Sequence, residues 1–204
     1  MVDDTGSFLP DDFSLGKNKY RFYIHQLMIS ISLMKNEEIT RISEIDRTER
    51  ITRDYVYKDG RLHEVEVDWH AHRWSSSGNG DHSVQSKINE WKPFLDADGM
   101  MFGAFHDRML IGFVILCPHL TAEMAQLAIL YVSQDYRGQG VGTELTLKVC
   151  KIARESGAKA IYVSSIPTKN TVDFYQHLGF ELAEHVNKEL YELEPDDIHM
   201  IKFF

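Results

Sequence analysis

The chain is short of cysteine, of basic side chains and of long apolar runs. Among 204 residues there are two cysteines, Cys117 and Cys150. So spaced, they make neither a disulfide framework nor a metal-ligand set, and buried reduced thiols are expected. No apolar run approaches the ~18 residues of a membrane-spanning helix, so no membrane partner is expected. Lysine and arginine total 22 against 31 aspartates and glutamates, a formal net charge of −9. Phosphate-backbone binding needs a basic stripe, and its absence argues against nucleic acid as partner. An acidic surface suits a cationic substrate such as an amine. The N-terminal "MVDDTGSFLPDDF" is acidic where a secretory signal is basic and then apolar, so a cytoplasmic location is expected.

What the chain does have is alternating order. Residues 1–27 show no periodicity and read as an extension, with Tyr20, Phe22 and Tyr23 as its anchors; residues 28–204 read as one domain. "MISISLM" (28–34) is strand-like. "KNEEITRISEIDRTER" places Ile39, Ile42 and Ile45 at helical spacing, which predicts a helix. "ITRDYVYKDGRLHEVEVDW" predicts a hairpin turning at Lys58-Asp59-Gly60. After the Ser/Gly-rich "HRWSSSGNGDH", the residues Val84, Ile88 and Trp91 predict a short helix ending near Pro93. "MMFGAF", "MLIGFVILC" and "QLAILYV" are three strands in succession, which favours a mixed sheet over a parallel one. Leu145, Val149 and Ile152 predict a helix capped by Gly157. "AIYVSSI" is a strand, "NTVDFYQHL" a helix ending at Gly179, and "FELAEHV" and "DIHMIKFF" are closing strands. The fold class is therefore mixed α/β (α+β).

"LYVSQDYRGQGVGTEL" runs from a strand through Gly138, Gly140 and Gly142 into a helix. Such a junction is an anion site, because first-turn N–H groups lack intrahelical partners and the helix dipole favours negative charge there. It is not a P-loop, which needs Gly-Lys before Ser or Thr. Nor is it a dinucleotide fingerprint, whose third glycine would fall on Thr143. What remains, Arg137-x-x-Gly140-x-Gly142, resembles the acetyl-CoA pyrophosphate loop of the GNAT superfamily of N-acyltransferases. About thirty residues on, "NTVDFYQHLGF" is similar to that family's Asn-x-x-Ala-x-x-Phe-Tyr-x-x-x-Gly-Phe segment, with Asn170, Phe174, Tyr175, Gly179 and Phe180 assigned to it. The resemblance covers roughly residues 98–204.

The resemblance implies a central twisted mixed sheet of about seven strands with helices on both faces. It also implies acetyl-CoA as co-substrate, no metal, a direct ternary complex, and relatives that are often homodimers. Diphosphate is expected on the backbone N–H groups of Arg137, Gly138, Gln139, Gly140, Val141, Gly142 and Thr143, with the Arg137 side chain as an added contact. The backbone of Leu130, Tyr131 and Val132 is expected to pair with the pantetheine arm, with the Leu130 N–H as oxyanion donor. Asn170 is a cofactor contact, a helix cap or both, and Phe174 lies beside the cofactor. Tyr175 is expected to act as general acid, since phenol (~10) and thiol (~8.5) have nearby pKa values.

The general base is the open position. Gln126 stands where many relatives carry a glutamate, and an amide does not accept the amine's proton. Glu123, acting through water, is a candidate substitute ahead of His119, Asp68 and His70; a water chain, or deprotonation of the amine before it binds, stands level with it. His70, His72 and His82 lack a further ligand at firm spacing. Trp69 and Trp74 with nearby histidines are candidates for an acceptor wall suited to an ammonium group. The activity expected is acetyl transfer to a primary amine, on a small cationic metabolite or antibiotic. The alternatives are a protein N-terminus or lysine as acceptor, or a non-catalytic acyl-CoA sensor.

Overall fold

The computed structural model describes residues 29–78 and 80–204. The expected extension, with Tyr20, Phe22 and Tyr23, lies outside the described residues. The elements are β1 (Ile29–Leu33), a 3-10 helix (Asn36–Glu44), β2 (Glu49–Lys58), β3 (Arg61–Ala71), α1 (Val84–Asp96), β4 (Met100–His106), β5 (Met109–Cys117) and β6 (Met124–Val132). After a short 3-10 turn follow α2 (Val141–Glu155), β7 (Ala160–Ser165), α3 (Lys169–His177), β8 (Glu181–Leu182), α4 (Lys188–Leu193) and β9 (Ile198–Phe203).

Seven strands form one sheet in the order β1-β4-β5-β6-β7-β9-β8, while β2 and β3 form a separate hairpin. Among the described strands only the β6–β7 pair is parallel, so the mixed sheet expected from three successive strands is present. Both faces are covered. Leu145, Val149 and Ala153 make an apolar stripe on α2, which with Val172 and Tyr175 of α3 buries Val114, Leu127 and Ile161. On the other face Ile39, Ile42, Trp91 and Leu95 cover Met101, Phe113 and Ile115. The β2–β3 turn puts Asp59 and Gly60 at φ 52° and 77°; two consecutive positive φ values match the right-handed twist of the flanking strands. No helix among the described residues is long and apolar enough to cross a membrane.

Three expectations need correction. The helix predicted across 35–50 stops at Glu44, because the Asp46 carboxylate accepts from Thr48 N–H at 3.0 Å and Thr48 Oγ1 at 2.5 Å and turns the chain into β2. The helix predicted to end near Pro93 runs on to Asp96, since proline there forfeits only the bond to the Asn89 carbonyl. The strand predicted over "FELAEHV" is only two residues long. Beyond it Asn187 accepts from the Leu190 N–H at 3.0 Å and caps an unpredicted helix, α4.

One departure from regularity positions the site. β6 pairs with β7 only through Met124–Gln126 against Ala160–Tyr162, although β5 accompanies β6 as far as Val132. Beyond Gln126 the two parallel strands part, and among the described residues β6 has a free edge there. A bulge at Ala128, where Leu116 pairs with Leu127 but Ile115 with Ile129, bends β6 at this fork.

Candidate active site

The free edge has a definite polarity. In an antiparallel pair, residues that bond to the neighbour alternate with residues that point away. Ser133 N–H bonds to the Ile111 carbonyl at 2.8 Å, so Tyr131 and Ile129 also turn their backbone groups toward β5. Leu130 and Val132 therefore direct theirs into the gap. Tyr131 does not, which removes its main chain from the expected pantetheine contacts. The Tyr131 ring packs on the other face at 4.9 Å from Trp74 and 5.7 Å from Trp91.

The loop after β6 ends at Gly140, the N-cap of α2. Gly138 and Gly140 have φ of 70° and 87°, and a β-carbon built on either meets no atom within 4 Å. These two glycines answer a backbone need and leave open space in front of the helix N-terminus. Gly142 is different: its β-carbon would lie 3.4 Å from the Phe174 ring, so it serves close packing of α2 on α3. The N–H groups of Val141, Gly142 and Thr143 lack intrahelical partners. The Gln139 side chain folds back to the Asp135 carbonyl at 2.6 Å, leaving its backbone to the site. A cavity of about 320 Å³ adjoins Gln139, Gly140 and Val141, bounded by Ile29, Ile31 and Glu144.

The Arg137 side chain is not where it was expected. Its guanidinium donates to the carbonyls of Val132 (3.1 Å), Thr48 (3.3 Å) and Arg47 (3.1 Å) and to Glu49 Oε2 (2.8 Å). With its donors so committed to Glu49 and three carbonyls, it fastens the loop to the start of β2. Asn170 donates to the other oxygen of Glu49 at 3.0 Å. It does not cap α3, whose N-cap is Thr168. Counted back from Phe174-Tyr175, the asparagine of the quoted family pattern also falls on Thr168, which sequence matching from Asn170 had missed.

Tyr175 is 4 % exposed, with Phe174 and Phe180 edge-to-face at 5.1 and 5.3 Å. Burial, with Tyr131 and Cys150 nearby, pushes its pKa well above the usual phenol value. It stays protonated and is a hydrogen-bond donor more than a proton source, since full transfer to a thiolate is uphill. Burial also pushes Cys117 and Cys150 up to about 11, as expected of inert thiols.

The other candidates disperse. Glu123 is paired with Lys159 at the start of β6, seven residues or roughly 23 Å from Leu130, so it is no base for this gap. Asp68 is held by Arg50 at 3.0 Å. His70 and His72 stack on each other at 6.2 Å. Trp74 is a core residue against Trp91, and only Trp69, 39 % exposed and donating to Asp54 at 3.2 Å, retains a surface that an acceptor can meet. Gln126, 7 % exposed, sits at the fork itself. Sequence reasoning overlooked Glu49, whose partners are 88 and 121 residues away.

Residues 62–180 match the acetyltransferase (GNAT) family. The chain is 34% identical over 65 residues to an uncharacterized N-acetyltransferase of Methanocaldococcus jannaschii, covering 31% of this chain and 29% of that one. It is 33% identical over 116 residues to N-alpha-acetyltransferase 50 of Danio rerio, covering 55% and 69%. The chain thus spans between 29% and 69% of the length of these curated relatives. Its fold resembles a nourseothricin acetyltransferase (TM-score 0.63, 19% identity, 85% of this chain and 96% of that one). It also resembles the PaiA N-acetyltransferase of Thermoplasma acidophilum in complex with coenzyme A (0.56, 20%, 86% and 99%).

Proposed function

The chain belongs to the GNAT family of acetyltransferases, and from that premise we propose that it transfers an acetyl group from acetyl-CoA to a primary amine on a small cationic metabolite or antibiotic. The observation that carries this reading is the fork: β6 parts from β7 after Gln126, so the backbone of Leu130 and Val132 is open beside a glycine-lined helix N-terminus. A pantetheine arm fits that edge as an added strand. Its diphosphate end reaches the N–H groups of Gly138 to Thr143, where the open space over Gly138 and Gly140 receives it. The Leu130 N–H is then the oxyanion donor, a role typically worth ~3 kcal/mol. Acetyl-CoA supplies the activated thioester; Tyr175, buried on the α2–α3 face, donates a hydrogen bond to the departing sulfur.

The net charge of −9 and the exposed Trp69 beside Asp54 favour a cationic acceptor. A second reading, a protein N-terminus as acceptor, is favoured by the likeness to an N-alpha-acetyltransferase. The test is thiol release from acetyl-CoA with spermidine, L-lysine, kanamycin or a short peptide with a free N-terminus. Faster release with the first three supports the small-molecule acceptor, and faster release with the peptide supports the second reading. Tight coenzyme A binding with no release above the buffer rate for any of them defeats both in favour of a sensor.

A further inference from the structure

Neither Glu123 nor Gln126 takes the proton of the attacking amine, and the described residues offer another route. Along β7, Ile161 and Val163 join the core shared with α2, α3 and Tyr175. Tyr162 and Ser164 alternate to the opposite face. Ser164 lies two residues beyond the last β6–β7 pair, half-buried at the wall of the gap. Its cross-strand neighbour on β9 is His199, and Ser164 Oγ is 3.2 Å from His199 Nδ1.

His199 is 6 % exposed, its ring 5.9 Å from that of Tyr162 and 5.8 Å from that of Tyr191. Its Nε2 is buried without a well-formed hydrogen bond. It lies against Glu194, whose charge and backbone both favour a proton on the ring. Burial outweighs Glu194 and holds the His199 pKa below its ordinary value, so the ring is neutral at pH 7. A neutral ring protonated on Nε2 presents Nδ1 as acceptor to the Ser164 hydroxyl. Asp196 and Asp197 lie near Glu194, and burial and Glu194 raise the Asp197 carboxyl to about 7; Arg47 and Glu90 act with Glu194 on Tyr131 on this same face.

We propose that the acceptor amine loses its proton through Ser164 to His199, a relay on the face of the sheet opposite Tyr175. The inference rests on the acyl-transfer reading above. An attacking nitrogen and a leaving sulfur need groups on different sides of the carbonyl carbon, which this placement supplies. As the C–N bond forms, the nitrogen becomes positively charged and far more acidic than the free ammonium. It passes a proton to Ser164 Oγ while the serine's own proton moves to His199 Nδ1. The C–S bond then breaks and the sulfur leaves with the bonding electron pair, hydrogen-bonded by Tyr175. The imidazolium, held between Ser164 and Glu194, returns its proton to water. Ser164 is the group that touches substrate, and His199 acts through it as a positioning and proton-storing residue.

The experiment is kcat against pH for wild type, His199→Gln and Ser164→Ala. It uses whichever of spermidine, L-lysine, kanamycin or the peptide is turned over, with coenzyme A affinity measured alongside. Loss of a general base typically costs ~10²-fold or more; the relay predicts that fall in kcat for His199→Gln, with coenzyme A affinity unchanged. The wild-type acid limb, lying below the ordinary histidine pKa of ~6.5, should disappear in that variant. Should His199→Gln fail to fold, Ser164→Ala and the ¹⁵N spectrum of the wild-type histidines decide. The relay requires a fall in kcat for Ser164→Ala and an unprotonated Nδ1 at pH 7. A protonated Nδ1, or variants with wild-type kcat and acid limb, overturn the relay and leave acyl transfer standing. A wild type that binds coenzyme A yet turns over no amine overturns both.

Discussion

Arg137 illustrates how far a single residue's role depends on what surrounds it. Its spacing to Gly140 and Gly142 marks the family loop, yet its guanidinium is consumed by Val132, Thr48, Arg47 and Glu49. A lysine keeps the charge but lacks the planar fork. Arg137→Lys is therefore expected to destabilise the protein by on the order of 2 kcal/mol, read as a drop in Tm. Unchanged stability would mean that those bonds carry no weight. Tyr175 is a contrasting case, because its ring is already packed against Phe174 and Phe180. Tyr175→Phe should fold normally, bind coenzyme A as before and lose about 10-fold or more in kcat. With a pKa pushed above the usual phenol range, Tyr175 should add no titration to the rate profile up to pH 9. Wild-type turnover in the phenylalanine variant would show that another group assists the sulfur. Both residues were legible as members of a motif; only the neighbours revealed that one is structural and the other available.

At the scale of elements, the turn from the 3-10 helix into β2 is the hinge on which the site hangs. Asp46 bonds Thr48 and, at 2.5 Å, Arg73, while its carbonyl accepts from Gln134 N–H at 2.8 Å. It thus ties β2 to the loop that follows β6. The hairpin is fastened at its other side too: Tyr55 N–H reaches the Pro167 carbonyl at 2.7 Å, and Lys169 and Asp173 of α3 both meet the Tyr55 hydroxyl. The Thr48 hydroxyl first, then Arg73, lower the Asp46 pKa from 3.8 to about 2. A carboxyl with a lowered folded-state pKa contributes stability that is fully present above its unfolded value and lost as pH falls through the folded one. Asp46→Asn should therefore lower Tm most above pH ~4 and converge on wild type near pH 2. A Tm difference that stays constant across that range, followed by circular dichroism, would contradict the assignment. The hairpin was legible from Asp59-Gly60 and its alternation. Its docking on α3 was not, because alternation says which residues share a face and nothing about what the face meets.

At the scale of the whole molecule, net charge acts on encounter more than on fold. With −9 distributed over a domain of this size, a polycation is drawn toward the surface and an uncharged amine is not. Raising ionic strength from 0.01 M to 0.15 M shortens the screening length from about 30 Å to about 8 Å. The kcat/KM for spermidine should fall several-fold over that range, while that for a monoamine should change much less. Equal salt dependence for the two acceptors would remove charge steering from the account.

The sequence by itself determined the kinds of elements and nearly all of their order. Helical and strand periodicities, the positive-φ turn residues and the glycine junction are local properties, set by the residue and its immediate neighbours. It also determined the family, because two motifs keep their order and separation along the chain. Only the tertiary structure decided where β6 leaves β7, which backbone groups of β6 face the gap, and what Arg137 holds. It alone placed Ser164 beside His199, residues 35 apart in the chain. Those outcomes depend on register and on packing between distant segments, and no local pattern of side chains encodes either.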